Sequence, residues 1–573
     1  MNFKIKGGNK NATITIKNER EKDGIMYFDV DLAMDVPEIP EKFTVMWKFP
    51  VDNCYSVWSP AIKSDRHLGP TWRSRETQSR LASWMPLHTL VSLQGKNRMA
   101  MAVSDAKTPM TLSTGVCEHD ACFDCVIDFF TNPVAPLTHY SATVRIDTRE
   151  IDYYDSIYDV VKWWETECGY TPAPIPEHAK LPMNSLWYSY HQRLDVEDII
   201  KECKLSKAIG MDTVIIDDGW QTDDTSLGYS YCGDWELATS KIPDMKEFVQ
   251  RIHNIGMKVM LWYSVPYVGE RSKNYPRFKE FLLDGSGKND FRALDPRYKE
   301  IREFLIDIYK NAVKDWNLDG LKLDFIDAFV LKGKSIEYDE RRDYQSLEDA
   351  IEVLMTDIMT ELRKINSDIL IEFRETYVGP AIRKFGNMFR VIDCPDDALV
   401  NRSDIVNLRF VSGDTAVHSD MLMWNYNEPV EYAAIQFANI LYSVPQISMK
   451  IDKLSAEHKK MLEYYLKFWR ENKEVLIGGK LTAANPESCY SQVCAYKDGR
   501  SIITAYTDIV IVHNNEKELI VVNATRHNSL IVKNACGKAY KVINCMGEEN
   551  TSGIFDSKLS EVEVPLGGFV FIR

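Results

Sequence analysis

The sequence predicts a multidomain chain: a central (β/α)8 TIM barrel flanked by an N-terminal β-sandwich and a small C-terminal β-sandwich. Three observations carry this. Residues 1–175 hold short β-branched and aromatic runs separated by turn signals, the pattern of a sandwich. Residues 176–474 alternate strands with amphipathic helices through about eight units over about 290 residues, the size of a (β/α)8 barrel. Residues 475–573 lose the helical period and return to strands. The full 573 residues also exceed one ordinary core, so several domains are expected.

In order, the N-terminal strands are "ATITIKN", "GIMYFDVDLAM", "EKFTVMWKF", "HTLVSLQG", "RMAMAVSD", "ACFDCVIDFF" and "YSATVRIDT". A helix, "VVKWWETECG", leaves this unit, and the proline-rich "YTPAPIPEHAK" reads as a linker. The barrel opens with "NSLWYSY" as a strand and "DVEDIIKECKLSKAIG" as a helix. "DTVIIDDG", "KVMLWYSV", "DGLKLDF", "DILIEFRE" and "MFRVID" read as the next strands. The helices between them are "DMKEFVQRIHNIG", "PRFKEFLLDG" with "YKEIREFLIDIYKNAVKDWN", "LEDAIEVLMTDIMTELRKIN" and "GPAIRKFG". A strand beginning near residue 405, "IVNLRFVS", leads to "SGDTAVHSD". "VEYAAIQFANILYS", "QISMKI" and "EHKKMLEYYLKFWREN" close the series. The C-terminal strands include "SIITAYTD", "ELIVVNAT", "SLIVKN", "AYKVINC" and "GGFVFIR".

The formal net charge of −15 argues against nucleic acid or an anionic membrane as partner. No apolar run is long enough to span a bilayer, and the N-terminus lacks a signal-peptide pattern. If Met1 is the native start, a cytoplasmic protein with mostly reduced cysteines is expected. "CEHDACFDC" brings Cys117, His119, Cys122 and Cys125 close together. With no second CxxC to complete a ligand set and a strand-like continuation, they read as strand thiols and no metal site is expected.

In this barrel class the chemistry lies at the C-terminal ends of the strands. Those ends supply Asp217, Asp218 and Trp220; Trp262; Lys322 and Asp324; Glu372, Arg374 and Glu375; and Arg390, Asp393, Asp396 and Asp397. A buried charge is costly unless paired or used. "DGLKLDFIDAF" therefore reads as a strand that delivers a working carboxylate, although an aspartate there can also simply cap the next helix. Several carboxylates on one face cannot all ionise cheaply, which suits chemistry needing one ionised and one protonated carboxyl, as in glycoside hydrolysis. No dinucleotide fingerprint, P-loop or HExxH helix is present.

The motifs "DDGW" at 217–220, "GDW" at 233–235 followed by "KIPD", "GMKVMLW" at 256–262, "LDP" at 294–296 and "KLD" at 322–324 occur in that order. Together they resemble the α-galactosidases of glycoside hydrolase family 36 and, more distantly, family 27 of the same clan. The resemblance implies a retaining exo-acting α-glycosidase without cofactor, acting on terminal α-linked galactose in an oligosaccharide or glycoside. It implies Asp324 as nucleophile and Asp393 as acid/base, with Asp396 and Asp397 as the alternatives. Asp217 and Asp218 would take the 4- and 6-hydroxyls, and Trp220, Trp235 and Trp262 would line the pocket, with a place in the core the alternative for each. Arg292 would reach the 3-hydroxyl, Lys322 would keep Asp324 ionised and touch hydroxyls, and Arg390 would contact a hydroxyl or the nucleophile.

There are two departures. "EFRETYVGP" replaces the Cys- and Gly-rich loop of many relatives, and Leu323 stands where Trp often precedes the nucleophile. Both leave the 2-substituent and the leaving group open. A raffinose-synthase-like transglycosylase of the same family and a non-catalytic sugar-binding protein are the rival readings. A homo-oligomer is left open.

Overall fold

The computed structural model of the chain describes residues 2–283, 289–331, 338–374 and 376–573. Lys4–Gly7, Phe43–Pro50, Cys122–Phe129, Met110–Cys117 and Arg75–Ser79 form one antiparallel sheet. Thr13–Lys22, Ile25–Glu38, Leu137–Asp147, Asn97–Val103, Leu87–Val91 and Ser56–Trp58 form a second. Alternate residues of each, such as Phe28, Val30 and Leu32 with Val45, Trp47 and Ile127, meet in one core. Cys125 is buried in that core. Cys122, three positions away on the same strand, points to the opposite face and pairs in register with Cys117. Among the described residues, no three His, Cys, Asp or Glu side chains are grouped to hold a metal ion.

The barrel strands are β1 (Met183–Ser185), β2 (Thr213–Ile216), β3 (Lys258–Ser264), β4 (Gly320–Asp324), β5 (Leu370–Arg374), β6 (Met388–Arg390), β7 (Ala416–His418) and β8 (Gln446–Ile447). They pair in parallel in the order β8-β1-β2-β3-β4-β5-β6-β7. Parallel bridges His418–Val444 and Leu422–Ile447 bring the two ends of the sheet together. The outer helices include Val196–Ala208, Met245–Ile255, Lys299–Trp316, Leu347–Ile365, Ala398–Val411, Val430–Ile440 and Ala456–Leu476. Asp195, Asp244, Ser346, Asp397 and Ser455 cap five of them by accepting from a backbone N–H three residues on. Among the described residues, no helix is long and apolar enough to cross a membrane.

Four expected elements differ. "IVNLRFVS" lies within the helix Ala398–Val411, and the seventh strand is the three-residue β7. That helix is buried on nearly every side, between the barrel and the helices Tyr153–Thr166 and Val430–Ile440, and its polar residues Asn401, Arg402, Ser403, Asp404 and Asn407 are buried too, so no clean contrast of polar and apolar faces reveals a helical period. "GPAIRKFG" forms turns, so β5 and β6 are joined without a helix. In "NSLWYSY" the strand ends at Ser185 and Trp187–Tyr190 is a helical turn. "PRFKEFLLDG" is helical only within Tyr275–Phe278 and continues as turns; its last residues, and Glu375, lie outside the described residues.

The C-terminal region forms a seven-stranded sheet from Lys480–Ala484 to Phe569–Ile572 and a three-stranded sheet, with a core that includes Ile503, Val521 and Val570 between them. The N-terminal sandwich also reaches the top of the barrel. The Trp84 N–H donates to the Thr376 carbonyl at 2.6 Å. Arg80 donates to the carbonyls of Asp327 and of Phe329, the latter at 2.7 Å. These contacts fix the segments that follow β4 and β5.

Candidate active site

The alternation of β4 explains its charged residues. Leu321 and Leu323 point to one face, Lys322 and Asp324 to the other. In register, Lys322 lies beside Trp262 of β3 and Glu372 of β5, and Arg374 lies beside Arg390 of β6 and Arg390 beside His418 of β7. The polar set therefore belongs to one face of the sheet, and the leucines pack outward beneath the helices.

Asp324 ends β4 and is 3% exposed. Its Oδ1 accepts from Arg374 Nε at 2.5 Å, from the Phe325 N–H at 2.8 Å and from the Tyr377 hydroxyl at 3.2 Å. Its Oδ2 accepts from Trp262 Nε1 at 2.8 Å. Phe325 has φ +63°, a left-handed conformation costly for a bulky residue. That turn directs its N–H back at the carboxylate. Burial pushes the Asp324 carboxyl up, but the charges of Arg374 and Lys322 and the hydrogen bonds outweigh it and hold it below the ordinary range.

Asp393 stands across the site with its side chain 40% exposed. Arg390 donates to its Oδ1 at 2.6 Å, and Arg374 Nη1 lies 3.5 Å from its Oδ2. One guanidinium, that of Arg374, thus touches both Asp324 and Asp393. Burial raises the Asp393 carboxyl, but Arg390 and then Arg374 and Lys322 overcome this and hold it well below the usual range. Asp396 instead accepts from Gln436 at 2.9 Å, and Asp397 caps its helix by accepting from the Val400 N–H at 3.0 Å. Neither bonds Arg374 or Arg390.

Deeper in the barrel, Lys322 Nζ lies 2.6 Å from Asp217 Oδ2. Asp218 accepts from Gln192 at 2.7 Å and from Gln221 at 2.6 Å. Burial pushes its carboxyl up to about 6, against the pull of those two amides. Arg390 also meets Asp420 at 2.5 Å and Glu372 at 3.6 Å, and Tyr188 donates to Asp420 at 2.9 Å.

Several expected contacts are corrected. Trp220 has no exposed surface. It donates to the Trp262 carbonyl at 2.9 Å and packs against Trp235, Tyr263 and Trp316, so it is core. Trp235, 6% exposed, packs in the same cluster. Trp262 acts through its indole N–H on Asp324 and offers almost no exposed ring, at 1% exposure. Arg292, between β3 and β4, lies 2.7 Å from Glu270 and donates to the Phe291 carbonyl at 2.8 Å and to the Asn289 carbonyl, none of them a site group. Arg390 contacts Asp393, not the nucleophile candidate.

Half-buried aromatics beside the site include Tyr188, Tyr229, Tyr267, Phe291 and Phe325. Tyr229 stacks near Trp262 at 6.1 Å, and Arg374 lies over Phe325 at 4.9 Å. Tyr267 and Phe291 come from a short antiparallel pair of strands, Tyr267–Gly269 and Phe291–Ala293. Tyr229, Phe325, Gln192, Gln221 and Tyr377 come from loops and turns, where no periodic signal marks them. Arg374 and Asp420 carried a signal: each lies two residues beyond an inward group of its strand, Glu372 or His418.

Residues 181–379 match the Melibiase family model. This stretch runs from β1 through β5, so it includes Asp217, Asp218, Lys322, Asp324, Arg374 and Tyr377 and stops before Asp393. The bifunctional α-galactosidase/sucrose kinase AgaSK of Mediterraneibacter gnavus is 26% identical over 147 residues, covering 24% of this chain and 15% of that protein. The A type blood α-D-galactosamine galactosaminidase of Flavonifractor plautii is 27% identical over 196 residues, covering 30% of this chain and 17% of that protein. The chain thus spans less than a fifth of the length of either relative. Among solved structures, the α-galactosidase of Lactobacillus brevis superposes with a TM-score of 0.66 at 12% identity, covering 100% of this chain and 84% of that one. The family 36 α-galactosidase AgaA of Geobacillus stearothermophilus in complex with 1-deoxygalactonojirimycin superposes with a TM-score of 0.66 at 12% identity, covering 98% and 81%. The fold of a barrel between two β-rich regions is shared with them. The family model and the relatives bear out the resemblance to the α-galactosidases read from the sequence.

Proposed function

We propose that this chain is a retaining, exo-acting α-galactosidase that releases terminal α-linked galactose, or a modified galactose, from an oligosaccharide or glycoside. The observation that carries this reading is the pair Asp324 and Asp393 held by one guanidinium above Asp217, Asp218 and Lys322. Retaining glycosidases need two carboxyl groups about 5–5.5 Å apart, close enough to exclude water in the first step. The Melibiase match and the galactosidase relatives support the sugar. Doubly substituted forms of AgaA were also captured with raffinose and with stachyose.

The burial gradient supports an exo mode. Asp217, Asp218 and Asp324 are at most 3% exposed, whereas the Asp393 side chain is 40% exposed. The terminal sugar enters the closed end, and its leaving group stays beside Asp393 at the open end. Asp324 is ionised and held in place, as a nucleophile must be. Asp393 is an anion in the unliganded protein. A sugar covering its exposed face removes water and raises its pKa, so that it takes up the proton it later donates to the leaving oxygen. Asp217 and Asp218 are the acceptors for sugar hydroxyls, and charged acceptors make strong, selective hydrogen bonds.

Galactose, as a competitive inhibitor, should bind about tenfold more weakly as pH falls through about 6, because protonated Asp218 loses an acceptor. Asp218→Asn should bind weakly throughout and flatten the dependence. An inhibition constant unchanged between pH 5 and 7 would remove the Asp218 charge from recognition. The reading as a whole is tested by NMR of the first product formed from an aryl α-galactoside. The α-anomer of galactose is expected, and the β-anomer would rule out double displacement.

A further inference from the structure

The two oxygens of Asp324 are treated unequally. Oδ1 carries three donors, from Arg374, Phe325 and Tyr377, and Oδ2 carries one, from Trp262. We propose that Arg374 is a positioning residue that leaves Oδ2 as the attacking atom and tilts the double displacement toward its second half. This inference rests on the galactosidase reading. A carboxylate oxygen has about two lone-pair sites, so three donors saturate Oδ1 and leave Oδ2 with electrons to give.

In the first step a bond forms between Oδ2 and the anomeric carbon. The bond from that carbon to the leaving oxygen breaks, and Asp393 passes its proton to the departing oxygen. Asp324 loses its charge, and Oδ1 becomes the carbonyl of the glycosyl ester. In the second step water attacks the anomeric carbon and gives a proton to Asp393. The bond to Oδ2 breaks, and its electron pair returns to the Asp324 carboxylate. Arg374 stabilises that carboxylate, so it opposes the first step and favours the second. Its contact with Asp393, at 3.5 Å, pushes the same way: it favours the ionised base over the protonated acid. With both carboxylates on one guanidinium, the glycosyl-enzyme is drained faster than it fills.

The test is Arg374→Met, assayed on aryl α-galactosides whose phenols span a range of acidity. On the most activated substrate, kcat should fall on the order of 10–100-fold. KM should fall with it, and a burst of close to one phenol per enzyme should appear as deglycosylation becomes limiting. The alkaline limb of kcat/KM should rise by about one pH unit or more, because a cation has left the side of the acid. Arg374→Lys, which keeps the charge, should hold the wild-type limb. Tyr377→Phe removes a donor to Oδ1 without changing charge. It should give a burst with an unmoved limb, and it tests the inference even if Arg374→Met does not fold. Equal losses in kcat and kcat/KM for every substrate, with no burst and no shift of the limb, would overturn the role of Arg374 alone. A wild-type enzyme inactive on every α-galactoside would overturn the galactosidase reading, and this inference with it.

Discussion

Asp324→Ala should lose hydrolysis by several orders of magnitude while its circular dichroism and melting stay close to those of the wild type. The expectation follows from what surrounds the carboxylate. Trp262, Phe325, Tyr377 and Arg374 converge on it, and Lys322 adds a second cation. Arg374 keeps Asp393 as a partner when Asp324 is removed, so no buried guanidinium is left without a counter-charge. The space vacated is small and cationic, which suits azide. Azide entering there attacks from the side Asp324 would have used. An activated α-galactoside should then give β-galactosyl azide, with turnover partly restored. Near-wild-type hydrolysis by Asp324→Ala, measured with p-nitrophenyl α-galactoside, would remove the residue from the mechanism.

Asp393→Ala should depend on the leaving group. General acid help is worth about 10²–10⁴-fold, and most when the leaving oxygen is a poor one. Oligosaccharide substrates should therefore lose that factor, and aryl galactosides with acidic phenols should lose little in kcat/KM. The glycosyl-enzyme should accumulate, because under the proposed double displacement the same residue would activate water in the second step. Azide should now give the α-galactosyl azide, since it attacks the intermediate and not the substrate. Asp397→Ala is the control. It removes a helix cap and should cost about 1 kcal/mol of stability, with no change in leaving-group dependence. If Asp396→Ala or Asp397→Ala showed the leaving-group effect and Asp393→Ala did not, the acid would have been assigned to the wrong residue.

Much of this was legible in the residues, for definite reasons. A barrel strand that ends in a paired charge breaks the rule for a core strand, so "KLD" announced itself. The alternation of Lys322 and Asp324 against Leu321 and Leu323 alone puts both charges on one face. Strand–helix alternation placed most of the barrel, because its helices carry one wet and one dry face. "IVNLRFVS" has the texture of a strand because the helix Ala398–Val411 that contains it buries polar and apolar residues alike and so lacks that contrast. For Trp220 the sequence leaves a pocket wall and a place in the core equally open. Its backbone turns it inward, and an indole is as useful to a core as to a pocket. Arg292 stood near the site in sequence, but its antiparallel pairing between Tyr267–Gly269 and Phe291–Ala293 aims it at Glu270. Gln192 and Gln221, which donate to Asp218, come from turns and carry no periodic pattern. Arg374 was visible at the end of its strand, but only geometry shows that it touches both carboxylates.

The most direct test of the double displacement is to look for the covalent intermediate. Asp393→Ala, mixed with an activated aryl α-galactoside and quenched in acid, should carry one added hexosyl residue by intact-protein mass spectrometry. Peptide mapping should place it on the peptide that contains Asp324. An unmodified protein during steady turnover, or a hexosyl group on any other carboxylate, would contradict the account.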